Sequence, residues 1–218
     1  MPLRLAGICG LLAPVAFVVG VFVGDLVQPD AFSPADDNIS DLGALTATQP
    51  WLYNQIAANL TGLLVLGLAA GLWSALGGGL LARLGVVALA VVGVGLFLDG
   101  MLRLDCQGID VGCENDSWHS TAHRIEGGFA SAATVLSPMI LAFAFRRLPA
   151  WRRLWIPTLL AIPTGFVAGI VFSGLGSGAS ARAATVVWVL WVGLVGFWLL
   201  RITSSGFRAE RATRPAGP

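Results

Sequence analysis

The chain has 218 residues, of which 56% are hydrophobic and only 11% charged, with a mean hydropathy of +0.80. Soluble domains carry about 25% charged residues, so this chain lacks the polar surface of a water-facing exterior and its composition fits lipid as the solvent. The formal net charge of +1 gives no basic nucleic-acid surface, and no nucleotide-binding loop, nucleophile elbow or haem signature is present.

A bilayer core of about 30 Å takes roughly 20 apolar residues per helix. The first such stretch, 5–27, is long and lacks a small-residue cleavage site, so it reads as a retained span and not as a signal peptide. Cys9 inside it is a small packing residue. Asp25 near its far end has no local partner and is a candidate acid, because an ionisable side chain in a span is a functional candidate by default.

The connection that follows, Gln28 to Trp51, is too polar to be embedded. It contains DNISDLG, Asp37 to Gly43, in which Asn38, Ser40 and Asp41 are turn and cap formers and Gly43 tolerates φ > 0. Two further spans, 55–76 and 81–102, are joined by the short GGGLLAR. Their glycine-rich segments GLLVLGLAAG and GVGLFLDG are expected to be packing faces. Asp99 lies near the end of the third span, where Arg103, one helical turn later, is a ready partner. Asp99 is the second candidate acid.

The next connection holds Asp105, Cys106 and Cys113, then the only two histidines of the chain in SWHSTAH. A Cys106–Cys113 bond would close a small ring and stiffen the loop more than the fold. A helix starting near Ser117 puts His119 and His123 on one face, with Glu126 continuing it as H-x-x-x-H-x-x-E. Imidazoles at i, i+4 are a zinc-binding geometry. A third ligand is available from Glu126, Asp105, Asp116 or Asp41. The bland alternative is that the histidines hydrogen-bond loop aspartates and anchor the first connection to the fourth helix.

The remaining spans are 124–145, 154–175 and 182–201, with Pro138, Pro157 and Pro163 expected to bend two of them. Residues 1–203 form one membrane domain and 204–218 a flexible tail. No internal repeat supports an inverted-repeat transporter. Trp51, Trp118, Trp151 and Trp155 fall near the predicted boundaries, as an interfacial belt would.

Arginine placement sets the expected orientation. Arg4, Arg83, Arg146, Arg147, Arg152, Arg153, Arg201, Arg208, Arg211 and Arg214 share one side of a six-helix arrangement, and only Arg103, Arg124 and Arg182 fall on the other. The expectation is an all-α antiparallel bundle of six transmembrane helices in a bacterial inner membrane. Both termini are cytoplasmic and the connections after helices 1, 3 and 5 face outward, where disulfides persist.

FSPADDNISDLG followed by LDCQGIDVGC…SWHSTAH resembles the bacterial membrane proteins grouped as domain of unknown function 998, over roughly residues 5 to 200. That resemblance implies about six helices, an N-x-I-S-D-L-G-like motif in the first outer loop, and an acidic residue and a histidine at the start of the fourth helix. By position it points to Asn38, Ser40, Asp41, Gly43, Asp105 and His123, with Cys106, Cys113 and His119 beside them. A looser likeness links Ser40, Asp41, His119 and His123 to membrane hydrolases of the alkaline ceramidase and progestin-receptor type. This chain lacks their third histidine and seventh helix.

Two functions are expected from these residues. One is an enzyme on a lipid or isoprenoid-like substrate, with Asp41, Asp105 and His123 as catalytic candidates, or Asp25 or Asp99 as the acid, and His119, His123 and Glu126 as ligands of a zinc-like metal. The other is a non-catalytic membrane protein, a small permease or partner-binding subunit, in which Asn38, Ser40, Gly43, Cys106 and Cys113 build a structural clasp.

Overall fold

The computed structural model describes the chain through Thr213, with side chains through Ser204. Six helices are long and apolar enough to cross a membrane, and no strand occurs among the described residues. They are α1 (Leu3–Leu26), a π-helix (Leu52–Leu60) running into α2 (Thr61–Ala75), α3 (Leu80–Asp99), α4 (Trp118–Arg147), α5 (Trp155–Ser173) and α6 (Ser177–Thr213). Short 3-10 turns occupy Ile39–Gly43 and Arg152–Leu154. Part of the tail expected from residue 204 onward is the end of α6, and 214–218 lie outside the described residues.

Each helix packs on its neighbours in sequence, and α1 closes the ring on α6. That closure depends on glycine: a Cβ on Gly10 of α1 would stand 2.7 Å from the Gly196 Cα of α6. Small residues are the usual means of bringing helix backbones together where lipid provides no hydrophobic drive. The interior is filled by Leu68, Leu72, Leu89, Leu141, Phe145, Val192 and Leu199, while Val15, Phe22, Leu63, Phe129, Phe166 and Ile170 point outward. Outward apolar side chains of this kind are what a lipid-facing surface needs.

Two helix starts lie earlier than hydropathy alone places them. The second span begins at Leu52, not 55, and the fourth at Trp118, not 124. In both, the first turns are polar yet helical, and they are tied to the connections by side-chain hydrogen bonds such as Asn54 to the Gly43 carbonyl and His119 to the Arg103 carbonyl. Ser117 N-caps α4, its hydroxyl accepting from the Ser120 N–H at 3.2 Å, and Arg146 and Arg147 sit in its last turn, where cations suit the helix dipole.

Both long connections meet at one end of the bundle. The Leu45 N–H donates to the Leu104 carbonyl at 3.0 Å, and the Gln107 amide donates to Gln28 Oε1 at 3.0 Å. Thr46 donates to Asp110 Oδ2 at 2.5 Å. Cys106 and Cys113 are disulfide-bonded, and the bridge ties the exposed Cys113 to Cys106, which is 1% exposed.

Candidate functional site

The sequence-derived residues separate into three groups at the end that carries the long connections. Asp41, 4% exposed, reaches the second connection but not a histidine. Its Oδ2 accepts from the Gly108 N–H at 3.3 Å, just past the disulfide's first cysteine. Burial pushes its carboxyl above the ordinary range. Beside it, the Asn54 amide donates to the Gly43 carbonyl at 3.0 Å, tying the turn of Asn38 and Ser40 to the second span.

The second group is Asp105 with His119. His119 Nε2 lies 3.4 Å from Asp105 Oδ1, and its Nδ1–H donates to the Arg103 carbonyl at 2.7 Å. Asp105 Oδ2 accepts from the Ser117 N–H at 3.1 Å and the Ser120 hydroxyl at 3.0 Å. Asn115 completes the knot, its Oδ1 accepting from the Asp105 N–H at 2.7 Å and the Cys106 N–H at 3.1 Å. Burial alone would raise the Asp105 carboxyl. The hydrogen bonds from Ser117 and Ser120, with His119 close by, outweigh it and hold the carboxyl below the ordinary range. Every polar atom named here has a partner, as in a structural clasp.

The third group lies one layer deeper and is built differently. Asp99 at the end of α3, His123 and Glu126 on α4 each offer a ligand atom, all within 4.8 Å of one another. Asp99 Oδ1 is 3.4 Å from His123 Nδ1, and Asp99 Oδ2 accepts from the Tyr53 hydroxyl at 2.6 Å. Among the described residues Asp99 therefore faces His123, from the next span, in place of the Arg103 that its own helix suggests. His123 Nδ1 also lies 2.8 Å from the Leu102 carbonyl. A carbonyl only accepts, so Nδ1 carries a proton that the Leu102 carbonyl and Asp99 Oδ1 both face, and Nε2 is the ring nitrogen left for a ligand. Glu126 Oε2 is buried without a hydrogen-bond partner.

Local sequence explains this geometry. His123 and Glu126 are three apart on α4 and so share a face. Gly95 leaves room opposite them, since a Cβ there would stand 3.0 Å from Glu126 Oε1. Tyr53 reaches Asp99 from the π-helix, whose wide turn is a feature often found at functional sites. Asp25, the other candidate acid, is in a salt bridge with Arg182 of α6 at 2.7 Å, and Arg182 also donates to the Asp37 carbonyl at 2.8 Å. Asp25 is thereby occupied in fastening α1, α6 and the first connection together.

Tyr53 is absent from the sequence-derived set, although a signal existed: it is the only tyrosine in the chain, set in YNQ at the head of an apolar span. The unpartnered state of Glu126 has no sequence signal, because it depends on which side chains α3 and the π-helix bring to it.

A family model described as a protein of unknown function, DUF998, matches residues 11–198. The chain belongs to that family. No curated protein and no solved structure matches.

Proposed function

From that family membership and the buried cluster, we propose that this integral membrane protein is an outward-facing enzyme. In this reading Asp99, His123 and Glu126 hold a divalent metal ion beneath the outer loops and act, with Tyr53, on the polar end of a lipid or isoprenoid-like substrate. The observation that carries the reading is Glu126 Oε2, buried and unpartnered beside a second carboxylate and an imidazole. Native proteins leave few buried polar atoms unsatisfied, and a carboxylate oxygen is among the costliest. With both carboxyls deprotonated on binding and the imidazole neutral, the three ligands would carry −2, which one divalent cation cancels.

The donor set fits such an ion. Nitrogen and carboxylate oxygen suit zinc and its neighbours in the first transition row, and three protein ligands leave a position open for water or substrate. Ligands around one zinc at about 2.1 Å stand roughly 3.4 Å apart. To share one ion the two carboxylates must close on His123 Nε2, and Glu126 has no hydrogen bond at Oε2 to resist that movement. A metal held there would supply a Lewis acid or an activated water. The chain's own contributions are distinct from that chemistry. The Leu102 carbonyl fixes the tautomer of His123, and Tyr53 places a hydroxyl proton on Asp99 Oδ2, within reach of the cluster. The surrounding helices are apolar, and they favour a substrate that is itself resident in the membrane.

The clasp reading applies to the other two groups. Asp105 with His119, and Asp41 with Gly108, have satisfied partners and serve to hold the loops over the cluster. The test is metal-dependent stabilisation of detergent-purified protein. Zinc or manganese added after chelation should raise the Tm of the wild type by several degrees, since a ligand that binds only the native state stabilises it. The rise should vanish in Glu126→Gln and His123→Ala and persist in His119→Ala. An equal rise in all four proteins would contradict the assignment.

A further inference from the structure

We propose that the cleft between α4, α5 and α6 is a binding site for a lipid-soluble carbonyl compound, a molecule with an apolar chain and an acceptor oxygen that lies within the hydrocarbon layer. α5 is the least enclosed of the six spans: 17% of its most apolar stretch is buried, against 39–56% for the others. Between it and its neighbours opens a cavity of about 460 Å³, walled by Pro138 of α4, Gly165 and Gly169 of α5, and Ala184 and Trp188 of α6. A second cavity of about 220 Å³ lies toward the centre of the bundle against Phe17, Val92 and Leu96, and Thr134, Ala184 and Trp188 line both. Trp188 thus stands where the two meet.

The indole N–H of Trp188 is buried and donates to nothing, in a side chain from a residue only 7% exposed. Its neighbours behave differently. Trp191 donates to Thr158 Oγ1 at 3.2 Å, and Trp198 donates to the Ala150 carbonyl at 2.9 Å. Trp188 alone of these three lines the cavities, and its free donor calls for an acceptor oxygen that the protein does not supply. The walls are otherwise apolar, and their hydroxyls are largely committed: Thr134 donates to the Ala130 carbonyl and Ser173 to the Ile170 carbonyl.

Depth selects among lipids. Trp188 is about 16 Å along α6 from its start at Ser177, by the 1.5 Å rise per residue, close to the middle of a core about 30 Å thick. The ester oxygens of a glycerolipid sit at the interface, too far out to meet this donor. A ketone or quinone oxygen on a compound dissolved in the layer lies at the right depth to meet it on a turn of the Trp188 ring toward the cavity, with the chain along the α5 face. The inner cavity ends at Leu96, one turn from Asp99 on the same helix, so an occupant would extend toward the acidic cluster. Binding itself requires no metal, and the proposal stands apart from the catalytic reading.

The experiment is equilibrium binding of decyl-benzoquinone to purified protein in detergent, with decane as the chain-only control and chelator present throughout. The wild type should bind the quinone saturably. Trp188→Phe, which keeps the ring and removes the donor, should bind it about tenfold more weakly, as the loss of one buried hydrogen bond predicts. Ala184→Phe, which fills the junction, should abolish binding, and decane should bind wild type and Trp188→Phe alike. No saturable quinone binding, equal affinity in Trp188→Phe, or unchanged binding in Ala184→Phe would each overturn the proposal. Because metal is absent, none of these results depends on the Glu126 cluster.

Discussion

Two aspartates in the loops have opposite relations to pH. Asp105 is held below its ordinary value in the folded protein. Its contribution to stability is therefore present above the unfolded pKa, near 4, and is lost as pH falls through the folded one. Asp41 is raised by burial, so its contribution is full at low pH and is lost as pH rises through the folded value. Thermal melts in detergent should show Asp105→Asn less stable than wild type at neutral pH, with the difference shrinking in acid. Asp41→Asn should equal or exceed wild type at neutral pH and lose that advantage in acid. Equal responses of the two variants would contradict these assignments. Much of the residue-level picture was legible: the scarcity of histidine singled out His119 and His123, and their spacing placed Glu126 on the same face. What spacing could not tell is that the two histidines have separate partners. That follows from where α3 ends, which brings Asp105 to His119 and Asp99 to His123.

Among the elements, the fastening of α6 to the first connection depends on one residue. Arg182 pairs with Asp25 and donates to the Asp37 carbonyl, and both members of the pair are 14% exposed. Removing one partner of a buried pair costs about 3–5 kcal/mol, and the residual exposure here puts the expected loss near the lower edge. Arg182→Ala should lower the Tm and loosen the first connection, measurable as faster proteolysis between α1 and the π-helix. A variant with the wild-type proteolysis rate would show that Arg182 does not hold this loop. Hydropathy marked all six spans, because it reports where lipid must be met. It missed the first turns of the second and fourth helices, whose polar side chains bond to the long connections. The π-helix was likewise unreadable, since YNQIAAN is compatible with an ordinary helical turn.

For the whole molecule, the six helices and their lipid-facing exterior follow from composition and from the number of long apolar stretches, whereas the closure of α1 on α6 is seen only in the structure. Orientation is an inference from arginine placement, and it has its own check. If the long connections face outward, a membrane-impermeant reductant applied to intact cells should expose Cys106 and Cys113 to an impermeant maleimide. Labelling only after lysis would reverse the orientation. In that orientation the disulfide loop would cover the deeper cluster from outside, and under the proposal above the open side of α5 would admit a ligand from the bilayer. The central claim concerns that cluster, and metal content tests it most directly. Protein purified from membranes without chelators, and quantified by elemental analysis, should carry about one divalent transition metal per chain, and Glu126→Gln should carry far less. Wild-type protein that is folded and contains no such metal, before and after incubation with zinc and manganese, would contradict the account.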